Sequence, residues 1–137
     1  MTTNRKYLPT LSEKLDRLCI TQLKEFLIKD HRDEYSKEIQ DILHDIDLDI
    51  EEKEIKFDSK MLRTLIILAL INREIWLSES NARNGSRNGN DLYKSHSLNF
   101  IRNAAKNKIQ NKIGGRVDHK LDVLDGEFEN WYPSWDN

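Results

Sequence analysis

Residues 60–83 read KMLRTLIILALINREIWLSESNAR, a stretch that begins apolar at nearly every position and ends carrying a polar row. From Leu62 to Ile71 only Arg63 and Thr64 interrupt the apolar run, and a helix apolar all round is usually one buried all round. The stretch is therefore predicted to be the central helix, with Leu65 to Ile71 its most buried run. At about 100° per residue, Leu65, Ala69, Asn72, Trp76, Glu79 and Arg83 share one face. An amide, an indole, a carboxylate and a guanidinium on a partly buried face need partners, because each group left unpaired costs about 1–3 kcal/mol. Another helix or a ligand can supply them.

The chain has 137 residues, one domain by size. Charged residues make up 34% and apolar ones 37%, with two Pro and five Gly, which is the profile of amphipathic helices rather than of a sheet. The predicted fold is all-α: an antiparallel bundle of about four helices near residues 10–28, 34–53, 59–83 and 91–113, with an aromatic tail over 116–137 packing back. The net charge of −2 hides an asymmetry. No acid stands between Leu92 and Val117, where Lys94, Arg102, Lys106, Lys108, Lys112 and Arg116 are basic, and the tail beyond turns acidic. These surfaces are expected to neutralise one another within the fold or across a subunit contact, and a homo-oligomer is expected. The single Cys19 excludes an internal disulfide and suits a reducing compartment. The first ten residues have no apolar core of signal-peptide length, and Leu65–Ile71 is too short to span a bilayer, so a cytoplasmic protein without membrane contact is expected.

Along the chain, Thr10 and Glu13 have the spacing of a reciprocal capping box, which starts helix one. Leu11, Leu15, Leu18, Cys19, Leu23, Phe26 and Leu27 are its predicted buried side, with Asp16, Arg17 and Lys24 in solvent. Asp30 or Asp33 is the candidate cap of helix two, whose stripe is Tyr35, Ile39, Ile42, Leu43, Ile46 and Ile50. The acids on its other faces, Asp41 to Glu52, are the expected counterpart of the basic segment. Asp58 caps helix three, with Phe57 placed to staple against Leu62. The Asn-Gly pairs of NGSRNGN mark a compact loop. Asp91 can cap helix four, whose stripe is Leu98, Ile101, Ala105, Ile109 and Ile113. In the tail, Phe128, Trp131, Tyr132 and Trp135 are expected to cover the bundle or a second subunit.

Folding the helix three–helix four hairpin at about residue 87 brings Arg102 near Asn72 and Leu98 near Trp76, with Asn99 between. The run Asn72-x-x-x-Trp76-x-x-Glu79-x-x-x-Arg83, followed by Asn99-x-x-Arg102-Asn103, resembles an uncharacterised all-helical domain family of unknown function associated with bacterial polysaccharide gene clusters and phage. Asp16-Arg17-Leu18-x-Ile20-x-x-x-Lys24 is similar to a segment of the same or a neighbouring family. About half the chain is covered, and Ala104 stands where that family often carries Asp. The resemblance implies an all-helical fold and a polar site between helices three and four, and no known reaction.

The residues themselves support binding more than catalysis. Glu51 and Glu54 lack a facing carboxylate pair for Mg²⁺, Arg102-Asn103 lacks the following His of a helical ribonuclease, and His44-Asp45 lacks well-spaced metal partners. No catalytic residue, metal ligand or cofactor is assigned. Arg83, Arg102 and Lys106 can donate to phosphate, Asn72, Asn99 and Asn103 can read polar edges, and Trp76 can stack on a ring, with Glu79 beside them. The expected function is non-enzymatic binding of a phosphate-bearing ligand, a nucleotide, cyclic nucleotide or nucleotide-sugar, rather than nucleic acid. The alternatives are a structural or interaction module whose polar row is an internal network, and a nucleotide-processing hydrolase.

Overall fold

The computed structural model describes residues 8–83, 89–113 and 133–135, the side chains of 82, 83, 89–93 and 95 excepted. It contains four helices, α1 (Leu11–Leu27), α2 (Arg32–Glu52), α3 (Ser59–Arg83) and α4 (Gly89–Ile113). No strand occurs among the described residues. The molecule is an all-α bundle, with α3 at its expected bounds and the others displaced by one or two residues.

Local chemistry accounts for the helix starts. At α1 both halves of the capping box form: Thr10 Oγ1 accepts from the Glu13 N–H at 3.2 Å, and the Glu13 carboxylate accepts from the Thr10 N–H at 3.4 Å. Asp58 caps α3 by accepting from the Met61 N–H at 2.8 Å. The expected cap of α2 is corrected. Neither Asp30 nor Asp33 takes that position; His31 does, in the left-handed region at φ 67°, and makes no side-chain capping bond. The tight reversal from α1 consumes the cap position as a turn residue, and Asp33 falls in the first helical turn, where its charge opposes the helix dipole. Asp91 lies inside α4, which begins at Gly89.

α3 and α4 form the main antiparallel pair, α1 lies across both, and α2 packs chiefly on the far side of α1. This arrangement corrects the expected centre of the fold. In α3 Leu68 is fully buried, but Leu62 is 55% exposed, Ile66 54% and Leu70 59%. With α2 on the far side of α1, α3 has neighbours on two sides only, and its third apolar side faces water. The central helix is α4: Leu98, Ile101, Ala105 and Ile109 are buried as expected, and so are Ser97, Asn107 and Gln110. Phe57 is exposed like Leu62, so that end of α3 carries no buried staple.

α1 is also buried differently from its apolar pattern. Phe26 and Leu27 at its last turn are exposed, while Ser12, Asp16 and Thr21 are buried, because three helices press on α1 from different sides. On α2, Ile39 and Ile46 are buried and Leu43 is exposed. The acids of α2 find α1 rather than α4: Asp49 takes Lys14 at 2.6 Å and Glu38 takes Arg17 at 3.0 Å. Trp135 is buried against the α3–α4 pair, with the Lys108 ammonium 5.1 Å from its ring centroid. The Arg63 guanidinium donates to the Ser134 carbonyl and hydroxyl oxygens. Phe128, Trp131 and Tyr132 lie outside the described residues. Among the described residues no helix is long and apolar enough to cross a membrane.

Candidate functional site

Asp16 is the acid around which the polar row closes. It sits on α1 where α3 and α4 meet, with 4% of its surface exposed. Its Oδ1 accepts from Arg102 Nε at 2.9 Å and from Asn72 Nδ2 at 2.9 Å, and its Oδ2 accepts from Arg102 Nη2. Arg102 Nη1 donates to Asn99 Oδ1 at 3.2 Å, and Asn72 Nδ2 also donates to the Leu68 carbonyl at 3.1 Å. The guanidinium thus meets the carboxylate through two parallel bonds, the pairing that fixes geometry most tightly. Three helices are tied at one point.

The surroundings of this point are electrostatically closed. The hydrogen bond from Asp16 raises the Arg102 pKa against the opposing effect of burial, with the nearby Glu79 charge adding to the rise. Burial, and then the Asp16 charge, push the Cys19 thiol up to about 11. Cys19 is therefore a protonated thiol at neutral pH and not a nucleophile. Among the described residues no group of three His, Cys, Asp or Glu is placed to hold a metal ion.

Of the residues expected at the site, Asn72, Asn99 and Arg102 are brought together, through the Asp16 that was expected in solvent. A signal for Asp16 exists in the sequence: Cys19, Ile20 and Leu23 follow it at three, four and seven residues, so it lies on an apolar face. Trp76 and Glu79 join Asn72 and Arg102 in lining a pocket of about 180 Å³, with Ile20 and Leu23 of α1 and Ile75 and Ser80 of α3. Asn103 and Lys106 are half-buried on α4 and do not line it. The Arg83 side chain lies outside the described residues.

Comparison with models of protein families, with curated proteins and with solved structures finds no match to this chain.

Proposed function

We propose that the chain is a non-enzymatic interaction module, in which the polar row locks three helices in register and the outer face of α3 pairs with a second copy of the chain. The lock reading is supported by Arg102, whose fork is filled by an internal carboxylate instead of being held open for an external anion. The observation that carries the pairing is the row Leu62, Ile66 and Leu70, more than half exposed at four-residue spacing, continued by Leu77 at 37%. A scattered exposed leucine is ordinary, whereas a contiguous row on one helix marks a contact surface.

Charge selects the occupant and its orientation. In an antiparallel pairing centred on Ile66, Leu62 meets Leu70 of the second copy, and Arg73 comes level with Ser59, beside the Asp58 carboxylate. Sliding the pair so that Ile66 meets Leu70 brings Arg73 level with Arg63, and a parallel pairing sets Arg73 against itself. Both arrangements oppose like charges. A two-fold antiparallel pairing is self-complementary and closes. Covering the exposed halves of three such side chains on each copy contributes roughly 1 kcal/mol apiece, against an association cost of about 4–15 kcal/mol. The pairing is accordingly weak and concentration-dependent.

Sedimentation velocity over a concentration series should show monomers passing into dimers, and Leu70→Glu should abolish the dimer. Ile66→Cys should oxidise to a disulfide-linked dimer, because the native Cys19 is a poorly ionised thiol. A wild type that stays monomeric throughout the series would remove the proposal.

A second reading keeps the phosphate-bearing ligand and moves it away from Arg102. Lys60, Lys108, Lys112 and Asn111 line a pocket of about 310 Å³ walled by Trp135, at the end of the bundle opposite the α3–α4 loop. Protection against thermal unfolding by orthophosphate or AMP, lost in Lys108→Ala, would favour it; no protection would leave the pairing reading alone.

A further inference from the structure

We infer that the pocket beside the Asp16–Arg102 pair binds a small flat ring carrying N–H donors, neutral or cationic, of the aryl amidine or aminopyridine class. Trp76 forms one wall, and Ile20, Leu23 and Ile75 supply apolar surface around it. A flat ring gains by stacking on an indole in such a setting. The volume of about 180 Å³ suits one ring system, well below the roughly 300–1,000 Å³ of pockets that enclose larger ligands.

The polar groups decide the ligand's charge. Asn72 is 4% exposed, and both of its hydrogen bonds are donated from Nδ2, to the Asp16 carboxylate and the Leu68 carbonyl. Two acceptors on that side fix the amide's orientation and leave Oδ1 as the acceptor that Asn72 brings to the pocket. No described residue donates to that oxygen. The Arg102 charge is matched by Asp16 at the pocket wall, so Glu79 leaves the described lining with an excess of negative charge. An anion is repelled, while a ring whose N–H groups point toward Asn72 and Glu79 is met by acceptors. This site stands whether or not two copies pair.

The test is a calorimetric titration of the full chain with benzamidine and with benzoate, which share a shape and differ in charge. Benzamidine should bind and benzoate should not. Glu79→Gln, an exposed position outside the three-helix tie, should weaken benzamidine about tenfold, and Trp76→Ala should abolish binding. A folded Glu79→Gln variant with unchanged affinity would overturn the inference, as would benzoate or orthophosphate binding at this site as well as benzamidine, or benzamidine failing to bind the wild type.

Discussion

The two sides of α3 invert the usual rule. Its inner side presents Asn72, 4% exposed, to a carboxylate on α1, while its outer side presents Ile66 and Leu70 to water at 54% and 59%. Apolar character alone ranks these residues in the opposite order. Burial here follows the number of flanking helices: α1 and α4 both reach Asn72 through the Asp16–Arg102 pair, and nothing within the fold reaches Leu70. The inner side makes the structure unique, because a charge pair tolerates only one geometry. The outer side leaves it incomplete.

The strongest way to break this comparison is to remove Asp16. Asp16→Ala leaves the Arg102 guanidinium and Asn72 without their acceptor, and should cost about 3–5 kcal/mol, seen as a melting temperature lower by roughly 10 °C or more. A loss below about 1 kcal/mol would mean that the pair behaves as a surface salt bridge. Replacing both members, Asp16→Leu with Arg102→Met, should restore much of the loss, since no charge is then stranded.

A smaller effect sharpens the description of the inner side. The Cys19 thiol ionises near 9.0 in the unfolded chain and near 11 in the native one. Between those values the unfolded state has released its proton and the native state has not, so stability falls as pH rises across the window, and this contribution is flat below it. Cys19→Ala should make the fall between pH 9 and 11 shallower in urea titrations; an unchanged slope would place the thiol in solvent.

Thr10→Ala provides a yardstick touching neither side. Loss of the α1 cap should lower stability by about 1 kcal/mol without altering dimerisation or benzamidine binding. The smallest expected effect on stability is on the outer side itself. Leu70→Glu should change monomer stability by no more than about 0.5 kcal/mol while removing the dimer. Should it unfold the monomer instead, Leu70 would be a core residue and the two sides of α3 would not differ.

What was legible in the sequence is what local chemistry decides. The ends of α3, the Thr10–Glu13 box, the Asp58 cap and the α4 stripe all depend on residues within a turn or two of one another. What was not legible depends on which helix lies beside which. The basic composition of α4 disguised the central helix, because its lysines can extend past the buried seam while Ile101, Ala105 and Ile109 fill it. The acids of α2 gave no hint that Lys14 and Arg17 of α1 would take two of them. The expected site was half visible for the same reason: Asn72, Asn99 and Arg102 stood out by type and spacing, but the acid that joins them comes from a helix far away in sequence.

That distance has a consequence for how the chain reaches its structure. The two members of the tie are 86 residues apart, so on a chain made from its N-terminus Asp16 emerges long before Arg102. The α1–α2 hairpin can close early through its own ion pairs, yet the side of α1 that carries Asp16 has to stay hydrated until α4 has been synthesised and docks. Folding is then gated by the last helix, and chains ending before α4 should show helical signal without a cooperative melt. The same residue pair that makes the finished bundle unique keeps its first half from settling prematurely into a shape of its own.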